Sequence, residues 1–555
     1  MSSNPLRQCF QVWQNELNSD IDKQFILDGI LNGFSIIVND NVLNVLPAFC
    51  GNYKSVLSHN VKSKVEKQII DEINLNRYVV CLEKPLIVSA LGAIPKSGSD
   101  ELRLIHDCSR PHGGGINTYA DPDSFKFNTV DTACDSIKQG YYMAKIDLKS
   151  AYRSVGIRPS HYPLTGLQWV FEGHSAPTYL VDTRLMFGAS QAVGIFHRLS
   201  NALVRMIQSR ISGGTVINYL DDFLIVASTK EECQNILDIS LKLILSVGFE
   251  INWKKVCYPA TQVTFLGIML DSEKMYMYIP ADKLAEIKNK AKYWSHKSRA
   301  TKRELQSLAG SIAWGAKCVK AIRPILRNII ELYKGLKAAH HHVRIPQSAK
   351  ADIQYFIHWC ELFNGVSFCK SKGLLPVAIC YTDATLLAGA ACYNDDFVYA
   401  TWVHDYPMLA AESIYVKELA AVYMAIQRWS HAWSNHYVII NVDNQGVLGS
   451  MFKGLAKKGI ANEILHKILW IAALNNIEIH VQYITSADNK IADALSRMAD
   501  PKKIVNAFSQ LVYCGVNPYS ADFDLLDHMS TQTLSLLLSR YLAQGARIRC
   551  PGPPV

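Results

Sequence analysis

The feature that most constrains this chain is a pair of adjacent carboxylates, Asp221 and Asp222, set between two short apolar runs. Val216-Ile217-Asn218 stands before the pair, and Phe223-Leu224-Ile225-Val226 stands after it. Short apolar runs separated by turn residues predict a strand, a turn and a second strand. Because Asp is common in turns, the pair by itself fits either a plain hairpin or a divalent-metal site.

The surroundings of Asp221 set it apart from Asp395-Asp396, a second pair between apolar runs that we interpret as an ordinary turn. Asp147 lies 74 residues upstream of Asp221, at the end of an apolar strand pattern, and Tyr152 follows it by five positions. Three further segments accompany these acids in a fixed order. They are Leu102–Asp107, Leu185–Gln191 as a turn that opens a helix, and Phe265-Leu266-Gly267-Ile268 as a strand with a glycine break.

The order and spacing of these segments resemble the reverse transcriptases of retroelements, over residues from about 86 to 340. The shared motifs are Tyr-x-Asp-Asp, D-x-x-x-A-Y, F-G-x-S and F-L-G. The leader, Asp107–Pro111 and Phe187-Gly188 look closest to DIRS-type retrotransposons. The resemblance implies an α+β right-hand polymerase with fingers, a ferredoxin-like palm and a helical thumb, joined to an RNase H-like α/β domain. In the palm, Asp147 and the Asp221 turn are expected on adjacent strands.

The resemblance also implies RNA-directed DNA synthesis by two-metal nucleotidyl transfer. Asp147 and Asp221 would bridge two Mg²⁺ ions, with Mn²⁺ as an alternative, and Asp222 would sit beside them. The other residues that the resemblance assigns bind the nucleotide or approach it. They are Lys96 and Arg103 at the triphosphate, Tyr152 under the sugar as the group that excludes a 2′-hydroxyl, Phe187 as a further nucleotide-binding residue, Gly188 where the backbone approaches the template–primer, and Lys254 or Lys255 at the leaving pyrophosphate.

A second set of acids lies in residues 375–498: Asp383, Glu418, Asp443 and Asp493. Each acid alone is compatible with a cap or turn, but together they resemble the D-E-D-D set of retroelement RNase H domains, with two metals activating water. The substrate would be the RNA strand of an RNA–DNA hybrid. Many such domains carry a His in the loop before the last Asp. Here that loop, 486–490, has none.

The net charge of +9 is unevenly distributed. Residues 281–350 contain 16 Lys and Arg against 4 Asp and Glu, and a basic block of this size favours a polyanion. The expected organisation is a helical leader (1–85), fingers and palm (86–275), a basic thumb and connection (276–350), a linker (351–374), the RNase H-like domain (375–498) and a tail (499–555).

Bulk composition narrows the setting. No apolar run is long enough to span a membrane, the N-terminus lacks signal-peptide features, and the 14 cysteines form no C-x-x-C pair. An intracellular location, in cytoplasm or nucleus, is therefore expected. The expected partners are an RNA template, a DNA primer, the RNA–DNA hybrid and dNTPs. The sequence leaves the template, the primer and the oligomeric state open.

Two other functions remain compatible with parts of the sequence. A decayed or domesticated copy would bind nucleic acid without catalysis, although all seven predicted acids are present. An RNA-dependent RNA polymerase would usually show Gly before the Asp pair and a smaller residue at the position of Tyr152, and it would lack the second acidic set.

Overall fold

The computed structural model describes residues 4–38, 45–95, 102–121, 124–316, 318, 322–363, 367–368, 376–456 and 459–514. The chain divides into two compact units, with the boundary between Met275 and Tyr276. Within these described ranges, no helix combines the length and the apolar character that crossing a membrane requires.

The N-terminal unit mixes helices and strands throughout. Its helices are α1 (Pro5–Gln8), α2 (Phe10–Glu16), α3 (Lys23–Asn32), α4 (Lys54–Leu57), α5 (His59–Asn74), α6 (Val130–Ser136), α7 (Ser190–Gln208) and α8 (Lys230–Ser246). Its strands are β1 (Ala48–Phe49), β2 (Tyr78–Cys81), β3 (Ile87–Val88), β4 (Ala90–Pro95), β5 (Leu102–Asp107), β6 (Tyr142–Lys149), β7 (Gly166–Trp169), β8 (Thr178–Asp182), β9 (Thr215–Tyr219), β10 (Asp222–Ala227), β11 (Glu250–Ile251), β12 (Cys257–Ala260), β13 (Gln262–Phe265) and β14 (Ile268–Asp271).

The centre of this unit is an antiparallel sheet, here called the palm sheet, in the order β11-β6-β10-β9, with β12 also paired to β6. Residues Phe223–Ala227 of β10 are all buried. Their uninterrupted apolar run is typical of a strand that is covered on both faces. Helix α7 packs against β9, and α8 packs against β6 and β10.

Strands β4 and β5 form an antiparallel pair, here called the finger hairpin, whose register pairs Ala90 with Asp107 and Ile94 with Arg103. A second sheet has the order β1-β3-β7-β8-β2. The apolar segment from residue 85 to residue 94 therefore contributes to two different strands. Its first part, β3, joins β1 and β7 in the second sheet, and its second part, β4, turns to pair with β5.

The F-L-G segment also differs from the single strand expected for it. It forms a hairpin in which β13 ends at Phe265 and β14 begins at Ile268. Leu266 and Gly267 have φ angles of 50° and 81°, the left-handed values that a two-residue type I′ turn needs. Glycine at the second position therefore makes the turn rather than a break within one strand.

The leader packs into the core of the N-terminal unit. Leu6, Trp13, Leu17 and Ile26 are buried in the same apolar cluster as Ile146 of β6. The carboxylate of Asp20, which is largely buried, pairs with Arg205 of α7 at 2.7 Å. Residues 4–38 of the leader are thus part of one folded body with the palm sheet.

The C-terminal unit contains the basic block and the second acidic set. Its helices are α9 (Ala281–His296), α10 (Lys302–Gly315), α11 (Arg323–Lys334), α12 (Gln347–Phe363), α13 (Ile414–Trp429), α14 (Gln445–Lys453), α15 (Ile460–Leu474), α16 (Lys490–Ser496) and α17 (Ile504–Tyr513). Its strands are β15 (Tyr276–Tyr278), β16 (Arg299–Thr301), β17 (His342–Arg344), β18 (Ser367–Phe368), β19 (Val377–Ala384), β20 (Ala388–Tyr393), β21 (Asp396–Thr401), β22 (Tyr437–Val442) and β23 (Glu478–Tyr483).

The basic block is mainly helical, and the apolar residues that recur at helical spacing in α9 are buried. Helix α12 packs against α9 and extends to Phe363, so the first half of the expected linker, 351–363, is helix. Ile353, Phe356 and Cys360 are buried along α12, and this apolar spacing explains the difference.

Strands β19 to β23 form a five-stranded sheet in the order β21-β20-β19-β22-β23, and β16 pairs with β17. Pairing is antiparallel between β19, β20 and β21, and parallel between β19, β22 and β23. Helices α13 and α16 both pack against β19 and β20. Helix α17 lies beyond the expected domain end at 498, yet Phe508 and Leu511 share an apolar cluster with Ala390 of β20 and Leu495 of α16.

We expect Trp13→Ala to destabilise the N-terminal unit by about 3–5 kcal/mol, because a fully buried ring is lost. The Trp13 indole donates a hydrogen bond to the carbonyl oxygen of Val247 at 2.8 Å and packs edge-on against Phe249. Urea unfolding of the full chain measures the change. Trp253→Ala is the control: that side chain is 56% exposed, and its loss should change stability by less than about 0.5 kcal/mol. Equal effects would contradict an integral leader.

Candidate active sites

The three acids of the first set lie on neighbouring strands of the palm sheet. Asp222 begins β10 and is the direct cross-strand partner of Asp147 on β6. Asp221 precedes it in the turn after β9, where Leu220 has a φ of 53°. The Leu148 N–H donates to the Asp221 carbonyl oxygen at 3.1 Å, which ties this turn to β6. The hairpin and the adjacency predicted from sequence are both present.

Two side chains after β11 hold the Asp147 carboxylate. Asn252 donates from Nδ2 to Oδ1 at 3.0 Å, and Lys255 donates from Nζ to Oδ2 at 3.0 Å. The Asn252 backbone N–H also donates to the Asp147 carbonyl oxygen at 2.9 Å. Lys254 lines a cleft that Asp147 and Asp221 also line. Sequence reasoning missed Asn252, although its place between an apolar strand and the two lysines is a signal that could have been used.

The local electrostatics fit a divalent cation. Burial, reinforced by the neighbouring Asp221 and Asp147, raises the pKa of Asp222 to about 6, although Lys145 Nζ at 3.5 Å acts in the opposite direction. Burial likewise raises the pKa of Asp221. Asp222 Oδ1 is buried and accepts no hydrogen bond from any described residue. Clustered hard oxygen donors, one of which is buried and accepts no hydrogen bond from the described residues, match the ligands that Mg²⁺ prefers.

A cleft of about 1350 Å³ opens over these acids. It collects most of the predicted nucleotide-binding residues. Its lining includes Asp147, Asp221, Arg103, Tyr152, Phe187, Lys254 and Lys255. Lys96 lies outside the described residues. The cleft also contains His106, which is buried within β5 and which sequence reasoning did not select.

Gly188 has a structural reason to be glycine. It sits in the turn before α7 with a φ of 126°, and a Cβ there would lie 2.0 Å from the His106 carbonyl oxygen. The close approach seen in the structure is therefore between this turn and the finger hairpin. The sequence-based expectation was an approach to the template–primer.

Tyr152 lies in a short 3₁₀ turn after β6, and 9% of its surface is exposed. Its ring stacks on Phe196 of α7, with centroids 4.9 Å apart and an interplanar angle of 19°. Burial raises the pKa of its phenol. The Tyr152 side chain thus packs as a core residue does, and it also lines the cleft.

Three acids of the second set converge at the carboxyl ends of the neighbouring strands β19 and β22. Asp383 lies near the end of β19, Glu418 in α13 and Asp443 directly after β22. Carboxylate oxygens of these three residues lie within 4.8 Å of one another. Asp493, in α16, stands outside this group of three and pairs with the Arg497 guanidinium.

Burial raises the pKa of Glu418 to about 9 and that of Asp383 to about 7, with the neighbouring acids adding to both shifts. Ser496 donates a hydrogen bond to Asp383, and Ser486 donates from Oγ to Asp443 Oδ2 at 2.6 Å. Ser486 belongs to the loop that lacks the His of many RNase H domains. Glu418 Oε2 is buried without a hydrogen-bond partner among the described residues. This donor set also fits a divalent cation.

The second Asp pair, Asp395-Asp396, lies in an ordinary turn. Asn394 has a φ of 51°, and Asp396 begins β21. The Asp396 carboxylate accepts hydrogen bonds from Trp429 Nε1 at 2.7 Å and from Arg428. The Asp396 carboxylate therefore stabilises the local structure through hydrogen bonds. Asp222 Oδ1, in contrast, accepts no hydrogen bond from a described residue and lies 3.5 Å from Lys145 Nζ.

Comparisons with solved structures define the fold. The chain superposes on a foamy viral protease–reverse transcriptase in complex with dsDNA with a TM-score of 0.51, covering 86% of this chain and 97% of that one at 15% identity. A complex of the foamy viral protein with an RNA/DNA hybrid gives a TM-score of 0.50, covering 86% of this chain and 63% of that one, also at 15% identity. The expected α+β polymerase fold is confirmed.

One family model matches part of the chain by sequence. Residues 89–270 match the family described as reverse transcriptase (RNA-dependent DNA polymerase). The Transposon Tf2-3 polyprotein of Schizosaccharomyces pombe is 25% identical over 78% of this chain, and the retrovirus-related Pol polyprotein from transposon opus of Drosophila melanogaster is 22% identical over 58% of it. The chain spans about 30% of the length of each of these curated relatives.

The raised pKa of Glu418 predicts a pH effect on the metal-free protein. A carboxyl whose pKa rises from 4.5 unfolded to about 9 folded stabilises the fold fully below pH 4.5, and this contribution is lost as the pH rises towards 9. Relative to Glu418→Gln, the wild type should therefore lose thermal stability between pH 5 and pH 9. Millimolar Mg²⁺ should reduce the loss, because ligand binding favours the ionised form.

The same titration on Glu463→Gln is the matched control, since Glu463 is exposed on α15 and its charge is solvated. Its melting temperature should track the wild type across the pH range. A wild-type profile parallel to that of Glu418→Gln would show that Glu418 is ionised in the folded protein, and it would contradict the expected effect.

Proposed function

We propose that this chain is the RNA-directed DNA polymerase of a retrotransposon, joined to a ribonuclease H. The observation that carries the proposal is the register of β6 and β10, which makes Asp147 and Asp222 direct cross-strand partners beside Asp221. Asp147 and Asp221 line a cleft of about 1350 Å³, which is large enough for a nucleotide. The matches to reverse transcriptases in residues 89–270 and to two transposon polyproteins support the same function.

In polymerisation, Asp147, Asp221 and Asp222 would hold two Mg²⁺ ions, which stabilise charge on the attacking and leaving oxygens. Asn252 fixes the orientation of the Asp147 carboxylate through its side-chain and backbone hydrogen bonds. Lys255 neutralises the same carboxylate from the floor of the cleft. Its ammonium is therefore the better placed of the two candidate lysines to hold a proton near the leaving pyrophosphate.

Nucleotide selection rests on the other cleft residues. The Arg103 guanidinium would bind the triphosphate, because a fixed fork of N–H donors matches phosphate oxygens. Tyr152 would lie beneath the sugar and exclude a 2′-hydroxyl by its bulk, so that dNTPs are the substrates. The stacking of its ring on Phe196 restricts how far it can move aside.

In the C-terminal unit, Asp383, Glu418, Asp443 and Asp493 would hold the two ions of the ribonuclease H, which activate water against a phosphodiester. Ser496 and Ser486 orient two of these carboxylates. The basic helices α9, α10 and α11 would grip the duplex through its phosphates, so binding would be independent of sequence and sensitive to salt.

The finer assignment to a DIRS-type element rests on the leader, Asp107–Pro111 and Phe187-Gly188, and the proposed location inside the cell, in cytoplasm or nucleus, rests on composition. The proposed partners are an RNA template, a DNA primer, the RNA–DNA hybrid and dNTPs. The solved foamy viral relatives bind dsDNA and an RNA/DNA hybrid, which supports this class of ligand.

We expect Asp221→Asn to abolish RNA-templated primer extension, by more than roughly a hundredfold, while leaving cleavage of an RNA–DNA hybrid intact. Asp443→Asn should have the opposite effect, because the two acids lie in different units. Each variant is thus the folding control of the other. Extension with dNTPs and gel-resolved hybrid cleavage measure both activities on the same preparations.

A wild type that neither extends a primer nor cleaves a hybrid, with Mg²⁺ or Mn²⁺, would overturn the proposal. If that protein still bound the hybrid, it would be the nucleic-acid-binding product of a decayed copy. Extension with rNTPs in preference to dNTPs would instead identify an RNA polymerase.

We expect Tyr152→Val to raise the incorporation of rNTPs relative to dNTPs by at least roughly tenfold, because the ring that would meet the 2′-hydroxyl is removed. Single-nucleotide incorporation under steady-state conditions gives kcat/KM for both substrates. Tyr152→Phe should keep the discrimination, since it retains the ring. Unchanged selectivity in Tyr152→Val would refute the role assigned to Tyr152.

A further inference from the structure

An aromatic stack runs from the core of the N-terminal unit to the rim of the cleft. The Tyr152 ring lies between two phenylalanines, Phe196 and Phe187. Its centroid is 5.3 Å from that of Phe187, at an interplanar angle of 33°. The Arg103 guanidinium lies 5.5 Å from the Phe187 ring centroid. Phe187 thus contacts both Tyr152, the residue proposed to exclude a 2′-hydroxyl, and Arg103, the residue proposed to bind the triphosphate.

Exposure rises along this stack. Phe196 is fully buried, Tyr152 is 9% exposed, Phe187 is 37% exposed and Arg103 is exposed. The inner rings are therefore fixed by the core, whereas an exposed arginine has many side-chain conformations to choose from. A cation–π contact with a ring that is itself stacked on the core limits that choice.

The backbone holds the two ends of this contact in place. The His106 N–H of β5 donates to the Phe187 carbonyl oxygen at 3.1 Å, three residues along the strand from Arg103. Asn117 braces the same turn by donating to the Gly188 carbonyl oxygen at 2.9 Å and accepting from the Ser190 N–H at 2.9 Å. The distance between Phe187 and the finger hairpin is therefore set by main-chain contacts, and the ring completes the connection.

We infer that Phe187 is a positioning residue that couples selection of the nucleotide sugar at Tyr152 to capture of the triphosphate by Arg103. The inference rests on the proposed polymerase function and assigns to Phe187 a role beyond contact with the nucleotide. Loss of the ring should release Arg103 and leave one neighbour of Tyr152 unpacked. Both effects weaken nucleotide binding and sugar discrimination, while the acids on β6 and β10 are untouched.

The expected result for Phe187→Leu is a KM for dNTP raised roughly fivefold to tenfold, with kcat within about twofold and discrimination against rNTPs reduced. Phe187→Tyr keeps the ring and should restore all three values. Arg103→Gln should raise the KM as well, and the double variant Phe187→Leu/Arg103→Gln should be no worse than the poorer single variant, because the two residues act through one contact.

Phe171→Leu is the matched control. It makes the same substitution at a partly buried ring that packs against His174 and does not line the cleft. Its KM, kcat and discrimination should equal those of the wild type. Binding of dNTP to a complex with a dideoxy-terminated primer, measured by dNTP-dependent retention of the primer–template, reports nucleotide capture without requiring chemistry.

The outcomes separate the two proposals. An active wild type with an unchanged KM in Phe187→Leu, a fall confined to kcat, or additive effects in the double variant would overturn the role of Phe187 and leave the polymerase intact. A wild type that retains dNTP but cannot extend would refute the polymerase, and loss of that retention in Phe187→Leu alone would still support the coupling. A wild type that neither retains dNTP nor extends would overturn both.

Discussion

The antiparallel register between β6 and β10 is the constraint on which the rest of the N-terminal unit depends. It brings Asp147 and Asp222 opposite one another and leaves Asp221 in the adjoining turn. Three like charges at this spacing repel, so the surrounding groups must offset them. Lys145 and Lys255 supply positive charge, and Asn252 supplies a neutral donor. Without a cation the cluster keeps part of its protons, as the raised pKa of Asp222 indicates.

The two acidic sites solve the same physical problem by different means. In the palm sheet, lysines pair with the carboxylates, and the pKa of Asp222 rises only to about 6. In the C-terminal unit, serine hydroxyls donate to Asp383 and Asp443, the Arg497 guanidinium pairs with Asp493, and the pKa of the buried Glu418 rises to about 9. A metal ion bound at the second site would therefore displace more protons near neutral pH, and its binding would be the more pH-sensitive of the two.

The folding unit is larger than the segment that carries the motifs. The reverse transcriptase match begins at residue 89, yet Trp13 is fully buried in the core that includes β6, and Asp20 pairs with Arg205 on α7. Likewise, the second acidic set ends at Asp493, but α17 continues the apolar cluster around Ala390. Sequence motifs mark chemistry, whereas domain limits follow from where apolar surface is covered.

Local patterns of apolar residues and turn residues predicted the hairpin at Asp221 and the helix after Gly188. The resemblance of the sequence to reverse transcriptases and RNase H domains predicted the α+β class and the two sets of acids. It also predicted Tyr152 and Arg103 as neighbours of the first set. Only the tertiary structure decided which acids meet, that Asn252 and Lys255 hold Asp147, that the leader belongs to the core, and that Phe187 joins Tyr152 to Arg103. Those contacts join residues far apart in the chain, and their register depends on packing that no local pattern encodes.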